Sequence, residues 1–187
     1  MHLTPIERPS SPLLRLLYRL SARRFGTVIG PLRVIYARRP RLLVIAGQIA
    51  RTMEHGLSLD PALRFLVQTQ TARQNGCTFC ADLALAEAVR SRVGHERFRA
   101  LDEYRTSPLF TERERAALAF AEEATRNRRL SDETAAAVRA AFSEEEIVDL
   151  AWLNAAENYF NLQAAVLGIE SDGLAAMALA KGDARRS

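Results

Sequence analysis

Cys77 and Cys80, separated by Thr78 and Phe79, are the only cysteines in the chain. A Cys-x-x-Cys pair at the start of a helix can cycle between dithiol and disulfide. The partial positive charge of the helix N-terminus favours the thiolate, which is the reactive form. The neighbouring residues put the pair in that place. Gln74-Asn75-Gly76 reads as a helix end with glycine in the left-handed cap, and Ala81 to Ala88 is a run of strong helix formers. A structural zinc site needs a second pair of ligands, and His2, His55 and His95 are scattered, so no metal is expected. Covalent haem attachment needs histidine directly after the second cysteine, and position 81 is alanine. A thioredoxin-like site needs strands alternating with helices, and strand signals are almost absent. Two readings remain: an all-helical dithiol site, or two core cysteines that share the spacing without chemistry.

The elements that must position this pair are helices. Pro12 precedes a basic amphipathic stretch, Leu13–Arg24. Pro31 and Pro40 can each start a helix, near 32–38 and 41–54, the second ending at Gly56. Asp60-Pro61 is an N-cap followed by proline at the first helical position, opening a helix to Asn75. The cysteine helix runs to Val93 and stops at Gly94, and His95–Tyr104 reads as another helix. Thr111-x-x-Glu114 and Ser143-x-x-Glu146 are capping boxes that open helices to Asn127 and over 144–167, Ser131 caps Asp132–Ala141, and a last helix covers 173–180. The expected fold class is all-α, with about eight or nine helices. In the helix 144–167, Asn154, Asn158 and Asn161 share a face with Ile147, Ala151, Leu162 and Ala165. Amides on an apolar face must find partners, so Asn154 and Asn158 are expected to tie helices together or to line a cavity beside the cysteines. Trp152, Tyr159 and Phe160 fall outside that stripe and read as core or subunit-interface aromatics.

A chain of 187 residues, 48% apolar and 26% charged, fits one soluble domain, or one domain with a helical extension. The division expected is a basic helical N-terminal arm, 1–30, and a helical domain, 31–187. Of the net charge of +4, residues 1–60 hold ten arginines against Glu7, Glu54 and Asp60, and Lys181 is the sole lysine. Arginine solvating the outer faces of helices accounts for that excess better than nucleic acid does. A basic arm against a slightly acidic remainder also suits packing between subunits. Leu42 to Ala50, the longest apolar stretch, is broken by Gln48 and is too short to span a bilayer. Arg15 and Arg19 interrupt any signal-peptide core. With two cysteines closely spaced, a reducing, cytoplasmic location is expected.

Asn75-Gly76-Cys77-Thr78-Phe79-Cys80-Ala81-Asp82 resembles the active-site segment of the carboxymuconolactone decarboxylase superfamily, and more narrowly its alkylhydroperoxidase D (AhpD)-like branch. Leu57-Ser58-Leu59-Asp60-Pro61, Phe110 to Leu118, Glu157-Asn158-Tyr159-Phe160-Asn161 and Leu167-Gly168-Ile169-Glu170 extend the likeness over residues 31–174. The resemblance implies an AhpD-like multi-helix bundle, homo-oligomeric assembly, no cofactor, and reduction of a small-molecule peroxide by the cysteine pair with an external dithiol as reductant. It places Cys80 as the peroxidatic residue and Cys77 as the resolving one. The family's proton relay uses a glutamate twelve residues before the first cysteine and a histidine four after the second, where this chain has Phe65 and Ala84. Gln68 and Glu87 are the candidates to line the site in their place. Asp82 points away from Cys80 and reads as a first-turn acid, and His55 reads as a surface or capping residue. The competing expectations are an inactive helical oligomer that binds a small ligand or partner, and a lactone decarboxylase, which does not depend on a cysteine pair.

Overall fold

The computed structural model describes residues 1–91 and 96–183, so the helix end expected at Val93 and Gly94 lies outside the described residues, as does His95. The described residues contain helices and no strand, in the order α1 (Pro12–Phe25), a π-helical turn (Leu32–Tyr36), α2 (Pro40–His55), α3 (Pro61–Gln74), α4 (Thr78–Arg90), α5 (Glu96–Arg99), a 3-10 turn (Leu101–Glu103), α6 (Glu112–Asn127), α7 (Asp132–Ala141), α8 (Glu144–Leu167) and α9 (Leu174–Asp183). None of these helices is long and apolar enough to cross a membrane.

Local chemistry sets the boundaries. Asp60 accepts a hydrogen bond from the Leu63 amide at 3.0 Å, and Pro61 takes the first helical position. Both capping boxes are closed: Thr111 and Glu114 satisfy each other's backbone at the start of α6, and Ser143 and Glu146 do so at α8. The described part of the helix expected over 95–104, residues 96–104, departs from a single helix. Phe98, Leu101 and Tyr104 are its buried side chains, and a spacing of three suits a tight 3-10 turn better than a continuing α-helix. The turn near 32–38 is wider than an α-helix, with the Ala37 amide bonded to the Leu32 carbonyl.

α3 is the central helix. It packs on α4, α6 and α8, and Leu63, Leu66, Val67, Thr71 and Ala72 on it are almost fully buried. One apolar cluster joins α3 to α6, α7 and α8 through Leu63, Val67, Phe120, Val138 and Leu153. A second encloses the cysteines, drawing Tyr18 from α1, Leu32 and Tyr36 from the π turn, Phe79 from α4 and Leu174 from α9. Asp82 anchors α9 by accepting the Leu174 and Ala175 amides at 2.7 and 2.8 Å.

Candidate functional site

The cysteines stand where α3 ends and α4 begins. Gly76 has φ of +65°, a left-handed conformation that turns the chain sharply. The Cys77 amide bonds back to the Ala72 carbonyl at 2.9 Å. Cys77 is the N-cap of α4, and its sulfur accepts the Cys80 amide at 3.2 Å. The two sulfurs are joined in a disulfide, with Cα atoms 5.3 Å apart.

Cys80 forms part of the wall of a cavity of about 360 Å³, a volume in the range of small-molecule sites. Cys77, 3% exposed, stands behind that wall. Most of the lining is apolar, with rings from Phe25, Phe65, Phe79 and Phe160 and the phenol of Tyr36. Phe65 and Ala84, where the family relay would sit, both face the cavity. Gln68 from α3 and Glu87 from α4 also line it. Glu87 is engaged by cations: its Oε1 lies 3.1 Å from Arg24 and 3.2 Å from Arg90, while Arg24 also pairs with Glu54 at 2.9 Å. Both guanidinium groups lie over the Phe25 ring, so the end of α1 closes one side of the cavity. Burial, and then the nearby Tyr159, push the Tyr36 phenol up to about 12, so it stays protonated at neutral pH.

Asn154 and Asn158 are corrected as cavity-lining residues. They lie roughly 100° around α8 from the arc that carries Glu157, Phe160 and Ala164 into the cavity. Asn154 Nδ2 donates to Thr71 Oγ1 and to Thr125 Oγ1, both at 2.9 Å, tying α8 to α3 and α6. Asn158 Oδ1 accepts from Asn75 Nδ2 at 2.9 Å. Ala151, Leu162 and Ala165, expected to share the amides' buried side, are exposed. His55 is exposed at the end of α2, 3.6 Å from Glu54.

The residue that sequence reasoning missed is Glu157. Its side chain is buried and lines the cavity that Cys80 lines. Its Oε1 accepts from Asn161 Nδ2 at 2.6 Å. Burial pushes this carboxyl up to about 7, against the pull of the Asn161 hydrogen bond. The signal available was a glutamate one helical turn before an asparagine, amid residues that otherwise carry no charge from Leu150 to Leu167. Among the described residues no three metal-ligating side chains come together.

Residues 48–123 match the model of the carboxymuconolactone decarboxylase family. The uncharacterized protein YnjA of Escherichia coli is 32% identical over 107 residues, 57% of this chain and 58% of that protein. The chain spans less than two thirds of the length of the curated relatives it matches. Among solved structures, the debrominase Bmp8 in complex with 2,3,4-tribromopyrrole aligns with a TM-score of 0.80 over 97% of both chains, at 23% identity. An uncharacterized peroxidase-related protein of Ralstonia eutropha, described as an alkylhydroperoxidase AhpD core, aligns with a TM-score of 0.74 over 94% of this chain and 95% of that one, at 19% identity. At such identities the likeness speaks to fold. The segment that builds the Cys77–Cys80 turn thus matches the carboxymuconolactone decarboxylase family model, and the chain carries it on an AhpD-like all-α fold.

Proposed function

We propose that this protein is a thiol-dependent peroxidase that reduces a small apolar hydroperoxide with its Cys77–Cys80 pair and works as a homo-oligomer. The observation that carries the reading is the position of Cys80, one half of a redox pair, on the wall of a largely apolar cavity. In the reduced enzyme the Cys80 thiolate attacks the outer oxygen of the hydroperoxide. The O–O bond breaks, Cys80 becomes a sulfenic acid, and the alkoxide leaves with a proton as an alcohol. The Cys77 thiol then attacks the Cys80 sulfur, releasing water and forming the disulfide. An external dithiol, by exchange, restores both thiols. Cys77 suits the resolving role because it lies off the cavity, next in line behind Cys80.

The test follows oxidation of the reduced protein by cumene hydroperoxide. Wild type forms a sulfenic acid and then the disulfide. Cys80→Ser forms neither, and Cys77→Ser stops at the sulfenic acid, where dimedone traps it. If the protein's thiols react no faster than free cysteine, the reading fails.

A second reading rests on the aromatic rings that line the cavity. Such walls stack on a planar halogenated ring, and a debrominase shares the fold. Reductive dehalogenation balances with the same pair: an aryl bromide and two thiols give the arene, the disulfide, bromide and a proton. Release of bromide from tribromopyrrole by the reduced protein, without reaction with hydroperoxide, would favour it.

A further inference from the structure

We propose that Glu157 is the proton carrier of the dithiol site, taking the proton from the Cys80 thiol and giving it to the oxygen that leaves. The proposal rests on the peroxidase reading for its second step and on the cavity alone for its first. Phe65 and Ala84 leave the cavity without the usual proton groups, and Glu87 is held between Arg24 and Arg90. Glu157 is different. Its carboxyl is buried in the cavity wall, and no basic side chain pairs with it among the described residues. A buried carboxylate without a cation is costly, and an apolar side chain of similar size would fill the place without that cost.

The position of the group is also fixed. Asn161 donates to Glu157 and accepts from Asn75 Nδ2 at 3.0 Å. Asn75 caps α3 beside Gly76 and Cys77, so a chain of two amides ties the carboxyl to the turn that carries the cysteines. The other titratable or charged groups of the cavity are Arg24 from α1, Tyr36 from the π turn, Glu54 from α2, and Cys80 and Glu87 from α4. α3 offers the cavity Phe65 and Gln68, and α6 meets α8 beside the amides through Ala121 and Thr125; none of these titrates. With its carboxyl pushed up to about 7 by burial, Glu157 can hold or release a proton near neutrality, where transfer in both directions is efficient.

The steps balance. The Glu157 carboxylate accepts the Cys80 proton, giving a thiolate and a neutral carboxyl. As the thiolate bonds to the outer oxygen of the hydroperoxide and the O–O bond breaks, the carboxyl protonates the departing alkoxide. Glu157 ends as a carboxylate, Cys80 is oxidised to a sulfenic acid, and the hydroperoxide is reduced to an alcohol.

Two measurements test it. Oxidation of reduced protein by cumene hydroperoxide, followed from pH 5 to 9, is expected to show an inflection near 7 in wild type. Glu157→Gln loses that inflection and slows by about a hundredfold at pH 7, the lower range for loss of a placed proton donor. In a Cys77→Ser background, alkylation of Cys80 by iodoacetamide shows two inflections with Glu157 present and one with Gln, because the two groups titrate together. A Gln variant that keeps the wild-type rate and both pH profiles overturns the proposal. If the variant does not fold, infrared titration of wild type decides, and no protonated-carboxyl band titrating near pH 7 overturns it as well. A wild type inert to hydroperoxide sinks the peroxidase reading separately, and alkylation then judges the thiol step alone.

Discussion

A carboxyl held out of water resists ionisation, and this makes Glu157 a stability group as well as a chemical one. In the unfolded chain it titrates as an ordinary glutamate near 4.3, while burial pushes it up to about 7 in the folded protein. Between those values the native state holds a proton that the unfolded state has released, so this group's effect on stability falls as pH rises through the window. Its penalty is absent below the lower value and complete above the upper one. Glu157→Gln keeps an acceptor oxygen for Asn161 and removes the charge. The variant is expected to be more stable than wild type at pH 8 by on the order of 3 kcal/mol, with the gap closing toward pH 4.5. Urea unfolding of the two disulfide-bonded proteins at both pH values measures this. A gap that does not change with pH would show that burial does not raise the carboxyl above its value in the unfolded chain. The carboxylates of Glu146, held low chiefly by Arg113, and of Glu123, held low by Ser131 and Thr134 against the cost of burial, act in the opposite direction but equally in both proteins. At this scale the cysteines, Gln68 and Glu87 were legible because spacing and helical geometry place them. Glu157 was not, because the sequence of a helix says which residues share a face but not which face turns inward.

The turn from α3 into α4 and the middle of α2 give opposite expectations for the same substitution. Gly76 sits at φ +65° with open space around a would-be Cβ, so Gly76→Ala costs only the backbone strain, about 1 kcal/mol. Gly47 lies inside α2, exposed and with nothing within 4 Å of a would-be Cβ. There Gly47→Ala should stabilise by roughly 0.4–1 kcal/mol, because alanine loses less freedom on forming a helix. Denaturant midpoints of both variants check the signs, and equal shifts would deny the left-handed turn that aims the cysteines. The capping boxes at Thr111 and Ser143 were legible because four residues suffice to specify them. The facing of α8 was not. Leu150, Leu153 and Ala164 are buried while Val148, Tyr159, Leu162 and Val166 are exposed, so both sides are apolar and the hydrophobic pattern has no unique phase. The π turn escaped for a related reason. Leu32, Val34, Ile35 and Tyr36 are all buried, leaving no periodicity from which to read its pitch.

That doubly apolar helix bears on the whole molecule. Val148, Trp152, Ala155, Tyr159, Leu162 and Val166 repeat at alternating spacings of four and three along the exposed arc of α8, the interval at which one helix seats against another. The five larger side chains of this row are 36% to 66% exposed. A single-chain protein rarely leaves so long an apolar row in water. The row carries no charge to choose a foreign partner, and a closed assembly of identical chains buries such a stripe on every copy at once. Leu13, Leu16 and Leu20 on α1 and Val44 and Ile45 on α2 add further exposed apolar side chains. Light scattering should therefore give a mass that is a multiple of 20.8 kDa. Leu162→Glu places a charge within the row and should shift the mass toward that of one chain, while Glu144→Gln, at the exposed start of the same helix, should not. Tyr159 lies near Tyr36, whose phenol lines the cavity, so the row adjoins the wall of the site. Dissociation by Leu162→Glu should then also lower the rate at which hydroperoxide oxidises Cys80. A wild type that scatters as a 20.8 kDa monomer at micromolar concentration would remove the assembly. An unchanged rate in a dissociated Leu162→Glu variant would instead separate assembly from chemistry.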